Sequence, residues 1–436
     1  MDEKKEGLNR REFLKLAGVA AGAVALGGTL GETLAQSSKA TKQLSVLYMN
    51  QAGYTTQVVT EMAKQFMSLY PDIRINLTFL PYPQMHDAIT TSVAASTATY
   101  HVVLADLIWT AEFIDHGYVI PLNPYITPEE KQGIYQAIWN GLEYKGKIAS
   151  FPFLANFQNF YYNREHLRRA GFEAGPRTID EWVHQMEVIK SKGIVKYPYE
   201  DSWTQAEGLV CDYVRMAGMF GNGNLFEGGE PVMNRGPQLK ALEFMVMLMQ
   251  KGLANPASIE ADEPTAARAF ASGEASFNTN WTFVTGIMND PKQSKIIGQG
   301  VVSTFPIVPG TNPKTHSASI SGFQGIAIPA NTPKELIPAA IQWIRFAASP
   351  KIQAEHLHSQ WPVWKSVANS PAERRINPWW QVYQENLEAV YNRPKVPDYL
   401  HVSAIIQRYV HQALQGNLSP KSAADQMVQE LKALGG

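Results

Sequence analysis

Cysteine is almost absent from this sequence of 436 residues, which contains Cys211 alone. One thiol can form neither an intramolecular disulfide nor a site built from several thiolates, so packing must stabilise the fold. An excess of one charge is also missing, since 38 basic and 39 acidic side chains give a formal net charge of −1. Proteins that bind nucleic acid need a basic face for phosphate contacts, and we therefore expect no nucleic-acid partner.

A long hydrophobic run is also lacking near the amino end. The charge-free stretch at 16–31 is shorter than the ~18 to 20 residues that span a bilayer. It is rich in Ala and Gly, which is typical of a removable signal peptide. Arg10 and Arg11 resemble the twin-arginine export signature, although Asn9 stands where Ser or Thr is usual. We predict a twin-arginine signal peptide over 1–35 and a mature protein that is periplasmic or extracellular; a membrane anchor after a chance arginine pair is the alternative.

The rest of the chain alternates between strand and helix patterns. The run 44–49 is typical of a strand, apolar residues then recur at helical spacing as far as Pro71, and apolar and polar residues alternate over 73–79. Strand, helix and strand in this order predict a βαβ unit, and hence parallel strands covered by helices. Further strands are expected at 101–104 and 148–153. The mature chain is therefore predicted to be α/β throughout.

Capping residues indicate where several helices begin. Thr178 with Glu181 predicts a capping box, in which each side chain binds the backbone amide of the other residue. Thr332 with Glu335 predicts a second capping box. The last helix is expected over 420–434.

Motifs for catalysis or metal binding are scarce. Tyr161 and Tyr162 are similar to the adjacent tyrosines of ferric-ion binders, but Asn163 predicts a helix N-cap there, and core and hinge roles are favoured. Carboxylates such as Glu200 and Asp201 could form an acid–base pair, yet the sequence does not place two of them across a scissile bond. We predict no catalytic residue, no cofactor and no metal site.

Aromatic residues in predicted loops are the most informative feature. Trp109 follows Asp106 at the end of a predicted strand, and Trp203 and Trp281 lie in polar segments. An aromatic ring offers a flat apolar face for the C–H face of a sugar, while Asn, Gln and Asp bind its hydroxyl groups. Residues at the carboxyl ends of strands line the ligand crevice of open α/β sheets. The pattern favours a polar and aromatic cleft; the alternative is that each tryptophan fills a small core of its own.

Four motifs occur in an order that is typical of one protein family. They are GKIASFP at 146–152, YYNRE at 161–165, PRTIDEW at 176–182, and GEASF at 273–277 leading to Trp281. These segments resemble those of the extracellular solute-binding proteins of family 1, the sugar-binding receptors of ABC importers. The similarity covers nearly all of 42–436. Asn280 departs from the family pattern, because glycine usually precedes that tryptophan.

The resemblance implies a type II periplasmic binding protein fold, with two α/β lobes of parallel-rich sheets flanked by helices and joined by crossing segments. One lobe is expected to hold 42–153 and 318–368, and the other 155–315 and 369–436. Asn156 falls at the first crossing and is the predicted hinge residue. The ligand is expected between the lobes.

The function that the resemblance implies is the substrate-binding component of an ABC importer. It would bind a mono- or oligosaccharide, close around it, and deliver it to the permease subunits as a monomer. Two alternatives stay open: an exported glycosidase that uses a similar cleft, and a receptor for a polyamine or another non-sugar solute. The predicted ligand contacts are Asn50, Gln51, Asp106, Trp109, Trp203, Trp281 and Phe323.

Overall fold

The computed structural model describes residues 42–435 apart from 52, 313–314 and 358–359. The signal peptide predicted for 1–35 lies outside the described residues. No helix in the described part is both long and apolar enough to cross a bilayer.

The helices are α1 Thr56–Leu69, α2 Tyr82–Ala94, α3 Thr110–Asp115, α4 Pro128–Gly133, α5 Gln136–Gly141, α6 Arg164–Ala170, α7 Ile179–Ser191, α8 Glu207–Met219, α9 Gly236–Gln250, α10 Glu263–Ala271, α11 Val284–Asn289, α12 Ile337–Ala347, α13 Pro350–Glu355, α14 Lys365–Ala368, α15 Pro371–Ile376, α16 Trp380–Glu388, α17 Tyr399–Leu414 and α18 Pro420–Gly435. The strands are β1 Lys42–Met49, β2 Ile73–Leu80, β3 Val102–Asp106, β4 Glu143–Tyr144, β5 Lys147–Ile148, β6 Phe151–Leu154, β7 Gln158–Asn163, β8 Tyr199–Glu200, β9 Phe226–Glu227, β10 Glu230–Pro231, β11 Phe277–Trp281, β12 Gly300–Ser303, β13 Ser319–Ile320, β14 Gln324–Ala327 and β15 Val390–Tyr391.

The first two strands and the helix between them form the predicted βαβ unit. β1 and β2 pair in parallel over their full lengths, from Lys42 opposite Ile73 to Met49 opposite Leu80. The hydroxyl of Thr55 caps the first turn of α1. One face of α1 is apolar at helical spacing and packs into the core around the sheet. The buried residues of that face are Val59, Met62, Ala63 and Phe66.

A five-stranded sheet in the order β2-β1-β3-β14-β6 forms the centre of the first lobe. β1 is parallel to β2 and β3, whereas β14 is antiparallel to both β3 and β6. The sheet is therefore mixed but still rich in parallel strands, because β14 alone runs opposite to the other four strands. The cause is the direction in which the chain enters: β3 ends at Asp106, and β14 begins directly opposite, at Gln324.

The second sheet has the order β12-β7-β11-β8 and is also mixed. β7 is antiparallel to β11 and β12, while β11 is parallel to β8. Helices α8, α9, α17 and α18 pack against one another on this side of the molecule. They share a second hydrophobic core, in which Trp182, Tyr199 and Met245 are fully buried.

Three chain segments run between the two lobes. The first leads from β6 to β7, the second from β12 to β14, and the third contains β15. They lie side by side, since Phe157 bridges Ser321 and β13 pairs with β15. Asn156 lies in the first segment, and its backbone oxygen accepts a hydrogen bond from the Gly322 amide in the second at 2.8 Å. This is the expected place for a hinge, although the hinge role of Asn156 stays a prediction.

The hydrophobic cores meet across the predicted lobe boundary. Phe270, Val284 and Met288 belong to the predicted second lobe, yet they pack in the cluster that surrounds the first sheet. The exact lobe boundaries therefore stay a prediction.

One of the two predicted capping boxes is wrong. Thr178 and Glu181 form both hydrogen bonds of the box that begins α7. Thr332 instead donates its hydroxyl to the backbone oxygen of His101, and a 3-10 turn at Lys334–Leu336 precedes α12. Thr332 is not the cap residue, because the 3-10 turn begins only after Pro333.

The strand predicted over 148–153 is interrupted. Its first part, β5, forms a hairpin with β4, and the turn residues Lys145 and Gly146 have φ angles of 49° and 73°. Two-residue hairpin turns of this kind favour glycine, which adopts positive φ without strain. Only the second part, β6, joins the main sheet.

Candidate functional site

A cavity of about 670 Å³ lies between the two lobes and is called the cleft below. Five of the residues predicted from the sequence line it: Asn50, Gln51, Asp106, Asn156 and Trp281. Asn50 and Gln51 follow β1, Asp106 ends β3, and Trp281 ends β11. The carboxyl ends of strands meet the ligand crevice of an α/β protein, which explains why these distant residues lie together. Their contact with a ligand stays a prediction.

Trp281 is a half-buried residue of the cleft wall whose indole is held in place from several sides. Its Nε1 donates to Oε1 of Glu263 at 3.4 Å, and the hydroxyl of Tyr161 donates to the Trp281 backbone oxygen at 2.8 Å. The backbone amide of Trp281 donates to the Asn280 side chain. A Cβ atom added to Gly322 would lie 2.8 Å from the ring. The cleft therefore contains a fixed aromatic platform.

Two predicted contact residues, Trp203 and Phe323, point away from the cleft, which corrects their assignment. Both are fully buried in hydrophobic cores. The neighbours on either side, Ser202 with Thr204 and Gly322 with Gln324, line the cleft instead. Side chains alternate in direction along an extended chain, so the central residue of each triplet faces the core. Buried rings in these positions cannot stack on a ligand.

Trp109 is the third predicted contact that does not line the cleft. It lies in a 3-10 turn after Asp106, and its side chain is only 3% exposed. Its ring stacks on Tyr82 with a centroid distance of 5.8 Å and an interplanar angle of 19°. Tyr82 lines the cleft. Trp109 therefore supports a cleft residue from behind.

Sequence reasoning missed several residues of the cleft wall. Tyr82 lies two residues after the end of β2, so the rule that strand ends line the crevice could have identified it. Glu207 begins α8, Glu263 begins α10, and Arg393 follows β15. No local pattern marks these three charged residues, because only the packing of the lobes places them at the cleft.

Arg393 joins carboxylates from the two lobes. Its Nη1 donates to Oε1 of Glu207 at 2.8 Å, and its Nη2 is 3.3 Å from Oδ1 of Asp106. The Glu207 carboxylate also accepts hydrogen bonds from the hydroxyls of Tyr399 and Ser403 at 2.5 Å. Oδ1 of Asp106 therefore already has a partner within the protein, the Arg393 guanidinium. This leaves fewer acceptor positions on Asp106 for the predicted ligand contact.

The cleft wall contains more acidic than basic side chains. Asp106, Glu207, Asp262 and Glu263 line it together with Arg393. Burial raises the pKa of Asp106, and the guanidinium of Arg393 opposes that effect. Burial also raises the pKa of Glu263. Among the described residues, no group of three or more His, Cys, Asp or Glu side chains could hold a metal ion.

Comparison with curated proteins finds transport-related relatives. A probable ABC transporter-binding protein of Deinococcus radiodurans is 25% identical over 251 residues, which cover 56% of this chain and 58% of the relative. The maltotriose-binding protein of Pyrococcus abyssi is 26% identical over 152 residues, which cover 35% of this chain and 32% of the relative. The matches thus span 58% and 32% of the length of these two curated relatives.

Solved structures with the same fold cover most of the chain. Maltose-bound T. maritima MalE3 has a TM-score of 0.82 and 27% identity, and the match covers 90% of this chain and 100% of that one. A solute-binding protein of an ABC transporter from Agrobacterium radiobacter K84, in complex with ribitol, has a TM-score of 0.80 and 22% identity over 91% of this chain and 99% of that one. These similarities confirm the predicted two-lobed periplasmic binding protein fold.

The family assignment rests on the chain itself as well as on its fold. The family model described as bacterial extracellular solute-binding protein matches residues 52–354, which is more than half of the chain. The predicted family is thereby confirmed. This protein belongs to the family of bacterial extracellular solute-binding proteins.

Proposed function

We propose that this protein is the substrate-binding component of an ABC importer and binds a carbohydrate in the cleft. The observation that carries the proposal is the fixed ring of Trp281 beside the carboxyl group of Glu263. A flat apolar face and nearby hydrogen-bond acceptors suit a molecule that has C–H faces and hydroxyl groups. The maltose bound to the T. maritima structure and the name of the maltotriose-binding relative support a sugar as cargo.

Closure of the two lobes around the ligand is the proposed mechanism. Trp281 and Glu263 lie on one side of the cleft, while Asn50 and Gln51 lie on the other. A ligand that contacts both sides stabilises the closed state more than the open one, so it shifts the equilibrium toward closure. Small changes in the backbone angles of the three connecting segments suffice for this motion. The permease subunits would then recognise the closed form, with the receptor acting as a monomer.

A thermal-shift panel tests the proposed function. We expect at least one mono- or oligosaccharide to raise the melting temperature of the purified mature protein reversibly, because a ligand that binds only the folded state stabilises it. Calorimetry should give one ligand per chain. The ligand should also be recovered unchanged after incubation; turnover of a glycoside would instead indicate the glycosidase. A folded protein that responds to no carbohydrate would contradict the proposal.

A cationic solute such as a polyamine is the second candidate cargo. Glu207, Asp262 and Glu263 add to Asp106 in the cleft wall, which leaves four carboxyl groups against the guanidinium of Arg393. A carboxylate can stabilise a bound ammonium group, and it can also accept hydrogen bonds from hydroxyl groups. Putrescine and spermidine therefore belong in the same panel. Stabilisation by these amines, with no response to sugars, would favour this candidate.

We also propose that residues 1–35 direct export by the twin-arginine route. Changing Arg10 and Arg11 together to lysine should leave the uncleaved precursor in the cytoplasm, because this route depends on the arginine pair. Fractionation and immunoblotting measure the effect. The matched control changes the exposed pair Arg168 and Arg169 to lysine and should export normally. Normal export of the first variant would contradict the proposed route.

A further inference from the structure

The amino end of α2 forms part of the cleft wall but has no side-chain cap. Tyr82 and Pro83, its first two residues, line the cleft. Pro81 precedes the helix and makes no side-chain hydrogen bond to the first turn. The carboxyl end of α2 is fixed differently, because the side chain of Asn331 donates to the backbone oxygen of Ser92 at 2.7 Å. The end that carries Tyr82 therefore depends on other contacts.

His86 supplies such a contact one helical turn after Tyr82. Its Nε2 lies 2.8 Å from Oε2 of Glu112 on α3. The two side chains are only 15% and 17% exposed, so water and salt screen this pair less than a surface pair. α3 follows the 3-10 turn that begins after Asp106, another residue of the cleft wall. The pair thus joins two segments that both lead away from the cleft.

Aromatic rings connect His86 with Tyr82. Trp109 stacks on Tyr82, and its ring centroid lies 5.7 Å from that of His86. Phe113 stacks on His86 with a centroid distance of 5.9 Å and an interplanar angle of 29°. Trp109 and Phe113 are also 5.9 Å apart. Because packed rings leave little free space, a movement of His86 would displace the ring that supports Tyr82.

We propose that His86 is a positioning residue for ligand binding: its pair with Glu112 holds α2 against α3 and so keeps Tyr82 in place in the cleft wall. His86 is not one of the described residues that line the cleft, so it acts through Trp109 and Tyr82. This inference rests on the proposed function of the cleft. It adds a residue outside the cleft on which ligand affinity depends.

The pair should make ligand affinity depend on pH. Burial lowers the pKa of His86, but the hydrogen bond and charge of Glu112, together with Asp87, outweigh burial and raise that pKa above its ordinary value of about 6.5. The charged groups that contact the ring are Glu112 on α3 and Asp87 on α2, whereas Trp109 and Phe113 lie against it without charge.

The direction of the pH effect follows from the raised pKa of His86. Its charged pair with Glu112 is fully present below about pH 6.5 and is lost as the pH rises through the higher folded-state pKa. A neutral imidazole can still donate one hydrogen bond, which is weaker than the charged one. Affinity should therefore decrease between about pH 6 and about pH 9 without being abolished.

Calorimetry at several pH values, with the best sugar of the thermal-shift panel, tests the proposal. His86→Leu fills similar space but cannot donate, so it should bind the sugar at least about threefold more weakly than the unchanged protein at about pH 6. His86→Gln keeps a donor that does not titrate, so it should bind more tightly than the leucine variant. The unchanged protein should lose about threefold in affinity by about pH 9, and His86→Gln less than about 1.5-fold.

Proton NMR of the histidine rings measures the pKa of His86 directly. The His86→Gln spectrum identifies the resonance, because only that signal disappears. We expect a pKa above about 6.5 in the unchanged protein and a lower value in Glu112→Gln, which keeps the shape of the side chain but removes its charge. An ordinary pKa that Glu112→Gln leaves unchanged would contradict the pair. This measurement needs no ligand and so does not depend on the function of the cleft.

The matched control is His401→Leu. The pKa of His401 is also raised, by contact with Asp398, but its side chain is 74% exposed and is not among the described residues that line the cleft. This variant should bind the sugar as the unchanged protein does. Unchanged affinity in a folded His86→Leu variant, or an equal decrease with pH in His86→Gln and the unchanged protein, would overturn the role of His86 while the receptor function stands. A protein that bound no carbohydrate would contradict the proposed function, and this role with it.

Discussion

Replacing Arg215 with methionine should lower the free energy of unfolding by about 3–5 kcal/mol. Arg215 lies in α8 and is fully buried, and its Nη2 is 2.9 Å from Oδ2 of Asp201 and 3.5 Å from Oδ1 of Asp212. Both carboxyl groups are fully buried as well. Gln158 joins the network, since its Oε1 accepts from Nε of Arg215 and its Nε2 donates to Asp212. Methionine fills similar space but leaves the two acids without a positive partner.

The charges of this buried network explain the size of the expected loss of stability. Burial and the neighbouring Asp201 raise the pKa of Asp212 well above its usual range, and Arg215 opposes that shift. Two buried carboxyl groups, those of Asp201 and Asp212, thus lie next to a single guanidinium. The Ser202 hydroxyl donates to Asp212 at 3.3 Å, and Ser202 lines the cleft. The network therefore supports one wall of the proposed binding site.

Denaturant unfolding measures the change in the free energy of unfolding, and two further variants serve for comparison. Arg408→Met removes the partner of Glu430 from a pair that is exposed by about two fifths on each side, so it should cost about 1 kcal/mol or less. The double change of Arg215→Met with Asp201→Asn removes one of the two unpaired carboxyl groups and should recover part of the lost stability. A single Arg215→Met variant within about 1 kcal/mol of the unchanged protein would contradict the account.

Changing Trp281 to alanine should weaken carbohydrate binding by about 1 kcal/mol or more, which is about fivefold or more in affinity. The aromatic platform is lost, and Glu263 loses the indole Nε1 as its donor. The residue lies at the end of β11, where β7 is hydrogen-bonded on one side, so the backbone should keep its position. Calorimetry with the best sugar of the thermal-shift panel gives the affinity.

Trp281→Phe separates stacking from hydrogen bonding. Phenylalanine keeps a flat face but has no Nε1 for Glu263, so this variant should keep more affinity than the alanine variant. Circular dichroism and the melting temperature without ligand show whether each variant is folded. Unchanged affinity in a folded Trp281→Ala variant would remove this residue from the proposed site.

Much of the site could be predicted because strand ends are visible in the sequence. Asn50, Gln51 and Asp106 follow or end apolar runs, and the motif around 273–281 placed Trp281 beside them. The same reasoning failed for Trp203 and Phe323, since the side of the chain on which each ring lies depends on its exact position in an extended segment. If the chain were shifted by one residue, a side chain that faces the cleft would face the core instead.

Local sequence patterns could not predict which residues come together from distant parts of the chain. Arg393 contacts Asp106 and Glu207, which are 287 and 186 residues away in the sequence.

By itself, the sequence determined the α/β class, the family and several strand ends at the cleft, because these follow from local periodicity and short motifs. Only the tertiary structure decided the mixed direction of the strands, the side to which each aromatic ring points, and the ion pairs that Arg393 forms with Asp106 and Glu207. The physical reason is that burial and ionic contacts arise from the packing of both lobes. A residue's neighbours in the chain do not specify that packing.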